Sequence, residues 1–205
     1  MREDAPVGGM RRPGRYSVRI AVLASTLAAL ASTPAVAHPH VFVDYAVTLV
    51  LVGDYLTGVR LTWTFDDLFS GFILQEFDKD RNGVFSTSEL QQIEAKHLSE
   101  FKRVGYYTTI DVNGNLVTVP EAREFRATVA KGLVTYEFTL PLAASLASTT
   151  AIEVSVDDPV YYIAYIPVAE TPKAQTIGPY TVDCKVVPDK TGVTPDVVRC
   201  GIRRR

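Results

Sequence analysis

The chain has 205 residues, of which 47% are hydrophobic, 10% aromatic and 21% charged, with a formal net charge of −2. This composition excludes a disordered chain, and the slight acidity leaves no electrostatic footprint for a nucleic-acid partner.

In chain order, residues 1–37 read as an export leader. Arg11, Arg12, Arg15 and Arg19 make a basic region, residues 20–31 an apolar run, and Ala35-Val36-Ala37 a small-residue cleavage site. The run is shorter than the ~20 residues of a spanning helix. The expectation is therefore a signal peptide over 1–37 with cleavage near Ala37, starting at Met1 or Met10. The protein is then periplasmic or otherwise secreted, with no membrane insertion. The leader takes five of the 21 basic and two of the 23 acidic residues, leaving 16 against 21 in the mature chain. That imbalance favours cations as partners.

Residues 38–205 read as one β-rich domain. Val41, Val43, Tyr45, Val47, Leu49 and Leu51 fall on odd numbers, the alternation of a half-buried strand. After Gly53-Asp54 the odd positions Val59, Leu61, Trp63 and Phe65 repeat it. Two odd core faces must pair odd with odd, so paired numbers sum to an even value. A clean two-residue turn is then excluded in favour of a loop of about three or five residues. With three, Asp66 stands opposite Phe42.

Helical spacing follows over 66–77 and 88–101, and residues 66–102 read as an EF-hand-like helix–loop–helix. The loop, residues 78–89, has oxygen donors at Asp78, Asp80, Asn82, Ser86 and Glu89. Val84 supplies a backbone carbonyl, and Gly83 stands where the chain turns sharply. This is the twelve-residue calcium pattern, whose last carboxylate binds through both oxygens. There is one such loop and no methionine-rich groove, which favours a structural brace over a calcium sensor. Strands are expected again over 107–112 and 116–119 around Asn113-Gly114, then over 123–130, 133–140, 151–156, 161–166 and 178–187. The fold class expected is α+β: an antiparallel β-sandwich or open barrel with an inserted helical hairpin. Arg203-Arg204-Arg205 reads as a solvated tail. Cys184 and Cys200 enclose a short loop in a chain bound for an oxidising compartment, where a disulfide is expected; a reactive thiol pair would want a C-x-x-C spacing.

The remaining donors are three histidines. Cleavage after Ala37 would free the α-amine of His38 to chelate a transition metal together with its own imidazole. His40, ~6.6 Å along an extended strand, points the same way. Asp66 is one diagonal step from His40 and completes a candidate site for Ni, Co, Zn or Cu. Asp67, Asp157 and Asp158 are looser candidates, and His97 reads as a partly exposed helix histidine. Nothing places a nucleophile beside a histidine base, so no catalytic role is expected.

The segments His38-Pro39-His40-Val41-Phe42-Val43-Asp44, Trp63-Thr64-Phe65-Asp66-Asp67, the calcium loop and Asp158-Pro159-Val160-Tyr161-Tyr162-Ile163 together resemble a bacterial periplasmic family, domain of unknown function 1007. Its members are often labelled periplasmic components of ABC transporters and often lie beside nickel/cobalt-type permeases. The resemblance implies an accessory protein that handles a divalent transition metal for a membrane permease. Alternatives are a solute-binding component of an importer, or a copper-brace redox enzyme that would need His97 as a third nitrogen ligand.

Overall fold

Odd-numbered apolar side chains make the first two strands an antiparallel pair. β1 (Val41–Val52) runs against β2 (Tyr55–Phe65) with Val43 opposite Phe65 and Leu49 opposite Val59. The register is the even-sum one. The turn, however, is the two residues Gly53 and Asp54, because Val52 pairs with Tyr55. The extra residue sits in a bulge at Thr57, whose Oγ1 donates to the Val50 carbonyl (3.1 Å). A bulge opposes two residues to one and so changes the parity that a two-residue turn would impose.

This computed structural model describes residues 40–168, 175–177, 179–188 and 195–205, all within the unit His38–Arg205. Its strands form two sheets. The first has the order β5 (Arg123–Ala130), β6 (Leu133–Ser145), β2, β1, β8 (Ile163–Pro167). The second has the order β4 (Asn115–Val117), β3 (Thr108–Val112), β7 (Ala151–Val156), β11 (Val197–Arg204), β10 (Tyr180–Val187), β9 (Gln175–Ile177). Both contribute to one core, including Trp63, Tyr136 and Phe138 from the first and Ile110, Val154 and Val198 from the second. The α+β sandwich is the observed class. Asn113 and Gly114 both have positive φ (54° and 83°) in the two-residue turn between β3 and β4, as that hairpin requires.

Two further sequence expectations need correction. β8 runs parallel to β1, with Phe42 opposite Ala164 and Asp44 opposite Ile166, so the first sheet is mixed. The arginine-rich end is not a free tail, because Arg203 and Arg204 belong to β11, an interior strand of the second sheet. Val198, Cys200 and Ile202 bury on its inner face. Cys184 and Cys200 are directly opposed on β10 and β11 and form the expected disulfide.

Between β2 and β3 lie α1 (Asp67–Phe77) and α2 (Thr87–Ile93), followed by a π-turn (Glu94–Leu98) and α3 (Ser99–Arg103). The buried hydroxyl of Ser70 fastens α1 to the sheet. It donates to the Phe65 carbonyl (3.1 Å) and accepts from the Val134 N–H (2.9 Å).

Candidate metal site in the helix–loop–helix

Asp78 closes α1, its N–H donating to the Leu74 carbonyl, and Ser86 opens α2. The chain between them is folded largely by its own carboxylates. Asp78 Oδ1 accepts from the Asn82 N–H (3.1 Å) and Oδ2 from the Gly83 N–H (2.9 Å). Asn82 Oδ1 accepts from the Val84 N–H (2.7 Å). Gly83 has φ +76°, a conformation that side chains rarely adopt. Val84 directs its side chain to solvent, whereas Phe85 is buried in the core.

Glu89 ties the two ends of the loop together. Its Oε1 accepts from the Lys79 N–H (2.7 Å), and its Oε2 from the N–H and hydroxyl of Ser86 (both 2.8 Å). Ser86 returns the contact by capping the Glu89 N–H, which makes a reciprocal capping box. The Ser86 and Lys79 backbone donors, joined by the Ser86 hydroxyl, hold the Glu89 carboxyl below its ordinary range. Asp78, Asp80 and Glu89 each bring one oxygen within 4.8 Å of the others, with Asp78 and Glu89 buried and Asp80 exposed. Hard oxygen donors gathered at such distances suit Ca²⁺, whose bonds run 2.3–2.6 Å.

The second set of predicted donors is differently disposed. His38 lies outside the described residues. His40 is exposed, donates its N–H to the Tyr162 carbonyl (2.8 Å) and rests its ring 5.1 Å from that of Tyr162. Asp66 does stand across from Phe42, and its N–H bonds the Phe42 carbonyl (2.9 Å). Both its carboxylate oxygens already accept from backbone: Oδ2 from Phe42 (2.6 Å), and Oδ1 from Phe69 (2.7 Å) as the N-cap of α1. Asp67 Oδ1 takes the Leu68 N–H (2.9 Å). Among the described residues, Asp78, Asp80 and Glu89 are the one convergent group of three ligating side chains.

Two roles escaped the sequence. Asp158, 3% exposed, accepts three backbone hydrogen bonds, from Val160 (3.1 Å), Tyr162 (3.0 Å) and Ile163 (3.0 Å). Its D-P-V-Y-Y spacing is the only signal, and it reads equally well as a turn. His97 is half-buried on the π-turn, with Nδ1 2.8 Å from the hydroxyl of buried Tyr136 on β6 and its ring edge-on to Phe77 (5.0 Å). Desolvation lowers the His97 pKa, opposed by Glu76. Its partner is remote in sequence, so no local pattern marks it.

A model of the family of proteins of unknown function DUF1007 matches residues 23–194. The chain belongs to that family. The match carries the DUF1007 region through β10 and stops short of β11. Two curated relatives are similar. An uncharacterized protein of Haemophilus influenzae is 25% identical over 131 residues, 62% of either chain. An uncharacterized 15.5 kDa protein in the trpE 3′ region of Spirochaeta aurantia is 27% identical over 90 residues, 44% of this chain and 64% of the relative. The chain thus spans less than two thirds of each relative's length. Among the described residues no helix is long and apolar enough to cross a membrane.

Proposed function

We propose that this DUF1007 protein is an exported cation-binding protein whose loop at residues 78–89 takes Ca²⁺ through Asp78, Asp80, Asn82, the Val84 carbonyl, Ser86 and Glu89. The observation that carries the reading is the convergence of Asp78, Asp80 and Glu89 around a loop with glycine at its left-handed position. The ion would replace part of the hydrogen bonding by which these carboxylates fold the loop, and would brace α1 and α2 against the sheet. Extracellular sites of this class bind at about 10⁻⁴ to 10⁻³ M. For a Kd of about 1 mM, 10 mM Ca²⁺ adds about 1.4 kcal/mol. In a domain of this size that raises Tm by about 3 to 6 °C. Glu89→Gln should abolish most of the rise; a variant that responds like the wild type would refute the assignment.

A second reading, that the protein is an accessory to a transition-metal permease, is favoured by the exposed imidazole of His40 at the head of β1. It assigns Ni²⁺, Co²⁺, Zn²⁺ or Cu²⁺ to His38 and His40, with Asp66 holding the strand beside them. Calorimetry on protein beginning at His38, on protein carrying one extra residue and on His40→Ala tests it. Equal affinities across the three would eliminate the site.

A further inference from the structure

At one end of the first sheet, large apolar side chains stand in solvent: Phe42 (47% exposed), Val160 (75%), Tyr161 (57%), Tyr162 (54%) and Ile166 (46%). The parallel register puts Phe42 beside Ala164, and alternation carries Tyr162 and Ile166 to the same outer face. The His40 ring adjoins Tyr162 on that face. Val160 and Tyr161 flank this face from the loop that leads into β8. Scattered exposed apolar residues are ordinary, but neighbouring ones gathered at one sheet edge mark an interaction site.

The loop that presents this cluster is rigidly built. Buried Asp158 pins it with its carboxylate on three N–H groups and its carbonyl on a fourth, that of Tyr161 (2.9 Å). Within it Tyr161 is held at φ +58°, a strained conformation for a bulky residue. The residue as a whole is more than half exposed, so core packing returns little for that strain.

Charge selects the occupant. The segments that frame this face, 42–46, 64–67 and 160–167, carry three aspartates and no Lys or Arg; Asp44 and Asp67 are exposed, and Asp44 stands beside Ile166 on the same face. An anionic lipid surface would be repelled, and a second copy packed through the same face would set carboxylates against carboxylates. We propose that the face formed by His40, Phe42, Tyr162 and Ile166, flanked by Val160 and Tyr161, docks a basic, apolar segment of a protein partner. The aromatic rings take the apolar side chains and the aspartate rim takes Lys or Arg. This surface is independent of the calcium reading.

The test is selection of a displayed library of random peptides on the exported protein. Peptides combining Lys or Arg with Leu, Ile, Val or Phe should emerge, with affinity that falls as salt rises. They should bind the Tyr161→Ser/Tyr162→Ser protein at least tenfold more weakly. Phe42→Ser, on a different element, should weaken them in the same direction, and each variant's Tm controls for folding. Acidic or uncharged winners, or winners indifferent to both variants, overturn the proposal. So does vesicle co-sedimentation, or a concentration-dependent dimer, that the double variant abolishes.

Discussion

Replacing Asp158 with alanine removes the acceptor of three backbone N–H groups at once. A hydrogen bond to a charged group contributes about 1.5–3 kcal/mol, and a buried donor left without a partner forfeits a comparable desolvation term. Three such bonds do not add in full. They share one carboxylate, Val160 and Tyr162 are solvent-facing and can rehydrate, and the variant no longer buries a charge. A loss of about 3 kcal/mol follows, which lowers Tm by about 6 to 12 °C in a domain of 150–250 residues. Asp158→Asn keeps one acceptor oxygen. Turned toward the Tyr162 and Ile163 donors, it would preserve two of the three bonds, so its loss should be less than half as large. Calorimetric melts of the three proteins at neutral pH measure both differences. A drop under about 2 °C for Asp158→Ala, or equal drops for both variants, would refute the view that this carboxylate works as a backbone clamp.

Three further outcomes are expected. Ser70→Ala strands the buried Val134 N–H and should cost about 2 kcal/mol, seen as a Tm drop of about 4 to 8 °C; Ser70→Thr that packs without loss would show that the hydroxyl is the cause. For His97, whose folded pKa is depressed, the unfolded chain binds the extra proton first. The neutral ring's contribution is therefore complete above pH 6.5 and drains away as pH falls from there toward the folded value. His97→Gln should flatten the stability–pH curve between pH 7.5 and 5.5, and an unchanged slope would remove His97 as its source. Titration of the unfolded, unreduced protein should find no free thiol, and replacing both cysteines with serine should cost about 3 kcal/mol in the chain-entropy model.

How far the residues announced this structure depends on whether the relevant physics is local. The odd-position alternation of β1 and β2 predicted their register, and with it the facing of Phe42 and Asp66. Parity could not tell a longer turn from a bulge at Thr57, since both absorb one residue. The calcium-loop spacing placed Asp78, Asp80 and Glu89 together because all three lie within one short segment. β11 was missed although Val198, Cys200 and Ile202 alternate, because the arginines between and after them resemble a solvated end. The parallel direction of β8, the pairing of His97 with Tyr136 and the clamp formed by Asp158 arise from contacts or turns that periodicity does not encode.

The strand order has a consequence for the time course of folding. β11 lies between β7 and β10 in the middle of the second sheet, and β8 closes against β1 across more than a hundred residues of chain. The second sheet cannot be completed until the last strand is available, whereas the first closes once β8 has formed. A chain appearing from its N-terminus onward would keep an open edge on β1 until β8 emerged, and on β7 until its last strand was free. Such non-local pairing folds slowly and leaves unpaired strand edges exposed to aggregation. Cys184 and Cys200 are only 16 residues apart, so their bond can tie β10 to β11 as a hairpin before β11 docks on β7, offering the open β7 edge a preformed pair of strands.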